Sequence, residues 1–449
     1  MAKHFDLIVI GTGSGGSTAA EKCAKAGWSV VQIDSRPFGG TCALRGCDPK
    51  KVLVGAAELI DWNHRMKDHG ISGNTLIDWQ ELMDFKRTFT EPVPESREKG
   101  MEKIGVTPFH GRASFVDEET IEVNGERLTA KNFLIAAGAK PAPLPIDGFE
   151  HLTTSTVFLD LDDLPQKLVF MGGGYISFEF AFIAAMAGSE VEIVHRGKRP
   201  LEGFDKDMVN ILLKKARTLN IKVHLNTDVQ SIIKDGSSFR VEASQKGTTK
   251  IFTGDLVVHG AGRVPDIDDM QLKEGNIERT NKGVSVNEYL QCSSNPRVYA
   301  AGDAADTNGL PLTPVAGFES HIVSSNLLEG NHRKAYYPAQ PTTVFTLPPL
   351  TSVGLTEEQA QKQDFDIEVN FKEIDGWYSY KRTNESRVAF KTIINKESGQ
   401  ILGAHVLGSK SEEIINLFAV AMNQNLKATV LKKMIYAYPS HASDIPYMV

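Results

Sequence analysis

The chain has 449 residues, 41% of them hydrophobic and 23% charged, and a formal net charge of -7; this is ordinary globular composition and enough length for about three domains. No basic run or stripe offers a surface for nucleic acid or an anionic membrane, and no apolar run reaches the ~20 residues of a membrane span. Residues 1–6 lead straight into a short apolar run with no secretory leader pattern, so Cys23 and Cys292 are expected as ordinary reduced thiols of a cytoplasmic protein.

Leu7-Ile8-Val9-Ile10 predicts a buried strand. It runs into Gly11-Thr12-Gly13-Ser14-Gly15-Gly16, a helix over residues 17–26 closed by Gly27, and a strand over 28–33 that ends on Asp34. Strand, glycine turn, helix, strand and acid in this order form the context in which G-x-G-x-x-G binds a dinucleotide. The turn lets backbone approach a pyrophosphate at the helix start, where N–H groups favour an anion. Asp34 is placed to accept hydrogen bonds from a ribose diol.

Gly39-Gly40-Thr41-Cys42-Ala43-Leu44-Arg45-Gly46-Cys47-Asp48-Pro49-Lys50-Lys51 follows, with two of the four cysteines. The spacing is wider than a C-x-x-C turn, and two ligands alone make a poor zinc site, so no metal is expected. One turn of helix across the four intervening residues would bring the sulfurs within reach of a redox disulfide. Two buried free thiols are the other reading of the same spacing.

Residues 112–123 predict strands of a small meander with a turn at Asn124-Gly125, followed by a strand over 132–138 and a proline-rich domain crossing over 141–145. The nucleotide pattern then recurs. A strand over 167–171 enters Gly172-Gly173-Gly174-Tyr175-Ile176-Ser177, a helix over 177–187 closed by Gly188, and a strand over 190–194. That strand ends in His195-Arg196-Gly197-Lys198-Arg199, with no acid where the first site has Asp34. The cations suit a ribose 2′-phosphate, so NADP is expected here over NAD; a solvated basic loop is the plain alternative. Further on come a strand ending in Gly302-Asp303 and a helix from Thr313 to Leu328. A segment of prolines and β-branched residues (341–350), strands over 367–371, 388–395 and 403–407, and a helix over 411–423 complete a third, α+β domain. Its one chemical cluster is Tyr438-Pro439-Ser440-His441-Ala442-Ser443-Asp444.

These motifs together closely resemble the two-dinucleotide flavoprotein disulfide reductases, the family of glutathione reductase, dihydrolipoamide dehydrogenase and mercuric reductase. The residues that carry the resemblance are Gly40-Thr41-Cys42 through Cys47-x-Pro49-Lys50, the two glycine turns in order, Ala261-Gly262-Arg263, Ala300-x-Gly302-Asp303 and Thr346-x-Pro348-Pro349-x-Thr351-x-Val353-Gly354-Leu355-Thr356. The resemblance covers nearly the whole chain. It implies an α/β enzyme with two Rossmann-like dinucleotide-binding domains plus a C-terminal α+β dimerisation domain. FAD would occupy 1–147 and 268–335, the nicotinamide cofactor 148–267, and 336–449 would form a homodimer. Cofactor contacts are implied for Gly11, Gly13, Ser14, Gly16, Asp34, Gly40, Thr41, Lys51, Arg112, Ala113, Ala137, Gly138, Asp303, Thr313 and Ala316 around the first turn. Around the second they are implied for Gly173, Tyr175, Ile176, Arg196, Lys198 and Arg199, with Gly262 and Arg263. Cys42 matches the interchange thiol and Cys47 the thiol nearest the flavin. Lys50 matches the lysine near flavin N5, and Glu179 its ion-pair partner. Tyr175 matches a gate over the nicotinamide pocket, and Asp303 the ligand of the ribityl chain. Hydride would pass from the nicotinamide to the flavin, then electrons to the Cys42–Cys47 disulfide, and Cys42 would exchange with the substrate.

The departures bear on the acceptor. Glutathione reductases hold the peptide carboxylates with two arginines, and the matching positions here are Glu21 and His321. Asp48 stands where the family has an apolar residue, and its charge should raise the neighbouring thiol pKa unless Arg45 or Lys51 compensates. The family's C-terminal histidine and glutamate positions hold Tyr438 and Ser443, and its second phosphate arginine aligns with Glu202. With Pro439 at a first helical position, His441 and Asp444 would share one face and supply the acid–base pair, leaving Tyr438 to hydrogen-bond at the disulfide. The expected acceptor is a small-molecule disulfide other than glutathione. A flavin reductase of quinones, metal ions or small oxidants, and a non-catalytic redox-sensing flavoprotein, are the alternatives.

Overall fold

A computed structural model describes residues 3–449. The chain forms two compact units, the first built from Met1–Lys50, Phe85–Ala142 and Arg263–Tyr337, the second from Lys51–Asp84, Pro143–Gly262 and Pro338–Val449. The second unit thus holds 148–262 and 338–449, most of the two segments expected for the nicotinamide and dimerisation domains, together with 51–84.

The first unit is organised on a parallel sheet. Val106–His110, Val30–Asp34, Lys3–Ile10, Glu126–Ile135 and Val298–Ala300 lie side by side in that order, and Thr120–Val123 and Ala113–Phe115 add the antiparallel meander. Side chains alternate across a strand. Leu7 and Val9 face a core with Ala19, Ala20, Ile322 and Val323, while Ile8 and Ile10 face another with Ile33, Ile121 and Phe133. Both faces are covered, which is why the strand reads as an unbroken apolar run rather than an alternating one. The helices Ser14–Lys25 and Thr313–Glu329 supply one cover.

The second unit repeats the theme with Lys222–His224, Glu190–Val194, Lys167–Met171 and Leu256–His259 in parallel. Its helix Tyr175–Met186 is buried on nearly every side, with Phe178, Phe180 and Phe182 inside, as an apolar-all-round helix must be. A three-stranded antiparallel sheet (Thr227–Asp235, Ser238–Gln245, Thr248–Gly254) follows the strand Lys222–His224. The C-terminal part is an antiparallel sheet of Thr342–Val344, Leu350–Gly354, Ile401–Leu407, Ala389–Asn395 and Ile367–Glu373, backed by the helix Ser411–Asn423. No helix among the described residues is long and apolar enough to cross a membrane.

Three local differences from the sequence reading have physical causes. Both nucleotide-turn helices start earlier than expected, at Ser14 and Tyr175, because extended Gly13 and Gly174 serve as their N-caps. Pro439 does not open a helix: the Tyr438–Pro439 peptide is cis, and a 3₁₀ helix runs from His441 to Tyr447 behind a Ser440 cap.

Lys391 is fully buried, and its ammonium meets Asp205 at 3.0 Å, Asp207 at 2.5 Å and Glu357 at 2.8 Å. Asp205 also caps the helix Lys206–Thr218, so one cation ties that helix to the C-terminal sheet of the same unit. Removing it leaves the carboxylates uncompensated. Lys391→Met is therefore expected to destabilise the protein by about 3 kcal/mol, read as a lower urea midpoint. An unchanged midpoint would show that the cluster contributes nothing.

Candidate active site

The cysteine loop is set by glycines. Gly40 lies at a φ of 72°, and a Cβ there would sit 2.4 Å from Gly13 Cα, so the loop closes directly on the first nucleotide turn. A short helix, Gly40–Arg45, carries Thr41 and Cys42. Gly46 interrupts it, and Cys47 becomes the first residue of a new helix, Cys47–Met66. The expected single helical turn between the cysteines is thus two helices with a break. The break puts Cys47 where the helix N-terminus favours a thiolate.

Both thiols are free. Cys47 Sγ lies 3.5 Å from Thr313 Oγ1, at the first residue of the helix Thr313–Glu329. Cys42 Sγ donates to Asp48 Oδ1 at 3.9 Å. The hydrogen bond from Cys42 is the largest influence on Cys47; with Thr313 and the Lys50 charge it overcomes burial and Asp48 to bring the Cys47 pKa down to about 6. The same bond, with burial, pushes Cys42 well above the ordinary thiol range. The pair therefore divides into a thiolate at Cys47 and a thiol at Cys42. Asp48 opposes ionisation of both, as expected, but the compensating cation is Lys50 rather than Arg45 or Lys51. Arg45 is engaged by the charges of Arg36, Asp34, Arg263 and Asp266. Lys51 pairs with Glu58 at 2.9 Å and lies 4.6 Å over the Phe345 ring.

The first turn forms a cradle. Gly11 has a φ of 115°, and a Cβ there would meet Ala136 O at 2.2 Å. Ser14 and Gly16 lie in the first turn of the helix it opens. Asp34 Oδ2 accepts from Thr12 N at 3.0 Å and Thr12 Oγ1 at 2.6 Å, which fixes the carboxylate at the strand end. Ala137 and Gly138 follow the strand Glu126–Ile135, and Gly138 O accepts from Asp266 N at 3.0 Å. Arg112 pairs with Asp266 and Asp269, Ala113 is buried at the start of its strand, and Arg263 donates to Ala139 O. Asp303 lies in the 3₁₀ turn Gly302–Ala304, its carboxyl pushed up by burial against the Arg263 charge. Gly302 of that turn packs on Ala316. A backbone cradle without room for side chains, helix-start N–H groups and a fixed acid fit the dinucleotide part of FAD.

Thr12 and Glu319 are participants the sequence reading passed over. Glu319 is buried and accepts from Gly302 N at 2.6 Å, Thr307 Oγ1 at 2.8 Å and Tyr337 OH at 2.5 Å, so it holds the turn that carries Asp303.

The second turn matches the first atom for atom at its start. Gly172 has a φ of 106°, and its Cβ would meet Gly260 O at 2.3 Å. Gly172 N bonds Val194 O as Gly11 N bonds Ile33 O, which places His195 where the first site has Asp34. The His195 ring covers Gly173, leaving 2.7 Å for a Cβ. Arg196 and Lys198 are exposed and make no ion pair among the described residues, whereas Arg199 is committed to Glu358 at 3.4 Å and Glu202 O at 3.2 Å. Tyr175 is 48% exposed at the helix start, followed by Ile176, and Gly262 has a φ of 111°. Glu179, 4% exposed, accepts from Phe345 N at 2.9 Å; Lys50 in the first unit is 8% exposed.

At the C-terminus, Tyr438 is 78% exposed. The expected pairing of His441 with Asp444 is not formed: no hydrogen bond or ion pair joins them among the described residues. The His441 ring lies edge-on to buried Tyr380 at 5.0 Å, and its Nε2 is buried without a partner. Burial, with the Arg382 and Lys410 charges, lowers its pKa to about 4. Asp444 is influenced instead by Ser379, and burial raises its carboxyl.

Residues 5–320 match the family described as pyridine nucleotide-disulphide oxidoreductase, and 340–449 match that family's dimerisation domain. The chain is 30% identical to a mercuric reductase of Staphylococcus aureus, over 98% of this chain and 81% of that one. It is 32% identical to the glutathione reductase of Pisum sativum, over 99% and 82%. Over 40% of its length it is 53% identical to the whole of an uncharacterised 19.7 kDa protein in a mercuric resistance operon of S. aureus. Among solved structures it superposes on the HOCl-induced flavoprotein disulfide reductase RclA of Escherichia coli in its Cu(II) complex, with a TM-score of 0.89 and 26% identity, over 100% of this chain and 99% of that one. The divided thiol pair and the two glycine-turn cradles are thus found in a chain that belongs to the pyridine nucleotide-disulphide oxidoreductases, enzymes that use FAD and a pyridine nucleotide with a redox-active disulfide.

Proposed function

We propose that this enzyme draws electrons from NADPH and delivers them through Cys42 to an acceptor disulfide other than glutathione. The observation that carries the reading is the geometry of the pair: Cys47 opens a helix with its Sγ 3.5 Å from Thr313 Oγ1, and Cys42 on the preceding short helix donates to Asp48, in keeping with a lowered Cys47 pKa and a raised Cys42 pKa. Bound FAD would supply the two-electron link between the nicotinamide and the Cys42–Cys47 disulfide, held by the first cradle with Asp34 and Asp303. Lys50 supplies a buried positive charge beside the thiolate, and Tyr175 shields the nicotinamide side. Against glutathione stand Glu21, already paired with Lys25 at 2.5 Å, and exposed His321: neither offers a cation of the guanidinium type for a peptide carboxylate. Exposed Val420, Met434, Ile435, Tyr438 and Tyr447 support a homodimer formed through the C-terminal domain. At the C-terminus Tyr438 offers an exposed phenol, and the His441 imidazole stays inside its own domain against Tyr380.

A second reading takes a quinone, metal ion or small oxidant as the acceptor. It is favoured by the similarity to a mercuric reductase and to a protein of a mercuric resistance operon, and by the HOCl-induced neighbour. An anaerobic NADPH-coupled screen of disulfides, quinones and metal ions separates the two. The first reading expects a disulfide to be consumed by the wild type and not by Cys42→Ser/Cys47→Ser. If that double variant consumes the preferred acceptor at the wild-type rate, the second reading stands.

The two-electron-reduced enzyme should show long-wavelength thiolate-to-flavin absorption. Because the Cys47 pKa is lowered to about 6, the band should be full at pH 8 and fade as pH falls through about 6. Cys42→Ala removes the hydrogen-bond donor and should move that midpoint upward. A wild-type midpoint above pH 8 would contradict the division of the thiols.

NADPH should be preferred over NADH by at least about tenfold in kcat/KM, since each charge-assisted bond to a phosphate contributes roughly 1.5–3 kcal/mol before screening. Arg196→Ala and Lys198→Ala should each erode the preference, and Arg199→Ala should leave most of it. Equal kcat/KM for the two cofactors in the wild type would refute the assignment.

A further inference from the structure

A dithiol that exchanges with a disulfide needs a group to take the proton of the attacking thiol and return one to the departing thiolate. The C-terminal residues do not present one. Tyr438 is a phenol, and the Nε2 of His441 is buried against Tyr380. At the cysteine loop itself a carboxylate is in place. Asp48 is exposed in the first turn of the helix Cys47–Met66, and its Oδ1 accepts a hydrogen bond from Cys42 Sγ at 3.9 Å. It makes no other hydrogen bond or ion pair among the described residues. The remaining groups facing the pair are the Thr313 hydroxyl, which reaches both sulfurs, and the Lys50 ammonium, which acts on Cys47; neither is a base. Among the groups that act on Cys42, Asp48 is the one that can accept its proton.

We propose that Asp48 is the acid–base catalytic residue for the Cys42 thiol, supplied by the same loop; this rests on the reading of Cys42 as the thiol that attacks the acceptor. In the first step Cys42 Sγ attacks one sulfur of a disulfide R–S–S–R, and its proton passes to Asp48. The Sγ–S bond forms, the acceptor S–S bond breaks, and the departing R–S⁻ takes the proton from Asp48 to leave as R–SH. In the second step the Cys47 thiolate attacks Cys42 Sγ. The mixed disulfide breaks, the second R–S⁻ takes a proton from water, and the Cys42–Cys47 disulfide closes. The dithiol loses two electrons and the acceptor gains them. The charge of Asp48 also explains why a carboxylate is tolerated beside a redox pair: it disfavours the Cys42 thiolate at rest and is a proton acceptor one hydrogen bond away when attack begins.

The test mixes the reduced, FAD-loaded wild type and Asp48→Asn anaerobically with two disulfide probes. One is bis(2-hydroxyethyl) disulfide, whose basic alkanethiolate needs a proton to leave. The other is 2,2′-dithiodipyridine, whose stabilised thiolate does not. Flavin reduction by NADPH is read in the same traces and reports the folded, loaded protein. Asp48→Asn should slow reoxidation by the second probe ~10-fold, through loss of the base for Cys42, and by the first ~10²-fold, because the acid for the departing thiolate is lost as well. Asp48→Glu should restore most of the loss. Equal slowing with both probes, or faster reaction with both, would overturn the proposal, because position alone or charge alone would then account for Asp48. The probes report the chemistry of Cys42 whichever acceptor the enzyme prefers in steady state. A failed disulfide-turnover screen would therefore overturn the proposed acceptor and leave this test readable.

Discussion

The coupling of two thiols organises the site. Cys42 and Cys47 have the same side chain, yet their mutual influence raises the pKa of Cys42 and lowers that of Cys47. Thr313 and Lys50 push in the same direction, and burial and Asp48 resist it. The division depends on backbone more than on side chains. Gly46 has to interrupt the loop so that Cys47 begins a helix, and Gly40 has to pass within reach of Gly13 so that the loop closes on the first cradle. A thiolate at a helix start next to a cation needs no further stabilisation to persist near neutral pH.

The two nucleotide turns show how one backbone solution serves two cofactors. Gly11 and Gly172 both pass so close to a carbonyl on the neighbouring strand that a side chain would collide. The strand-end hydrogen bonds are also equivalent, so the residue after each second strand occupies the same place. In one it is Asp34, tied to Thr12. In the other it is His195, stacked over Gly173 and followed by free cations. The two turns thus differ at a single position and in the loop that follows it.

Much of this was legible in the sequence, for stated reasons. The strands Lys167–Met171 and Glu190–Val194 and the helix Ser411–Asn423 fall where periodicity places them, because local apolar pattern and tertiary burial agree there. The glycine turns were legible because their residue type follows from sterics alone. What failed were contacts made by groups distant in sequence. Lys51 was a candidate to balance Asp48, but Glu58 and the Phe345 ring engage it, and Lys50 takes the role. His441 and Asp444 have helical spacing, yet Tyr380 packs on the imidazole and the pair does not form. Glu319 gave little signal, since a buried acid is recognised by its donors, and Gly302, Thr307 and Tyr337 come from separate segments.

The unequal ionisation of the two cysteines is measured by ultraviolet thiolate absorbance in the reduced protein. Titrating the wild type, Cys42→Ala and Cys47→Ala assigns each step to a residue. The structure predicts one thiolate in the wild type that forms near pH 6 and is absent from Cys47→Ala. Two thiols titrating together near the ordinary value of about 8.5, or a low step that survives in Cys47→Ala, would contradict it.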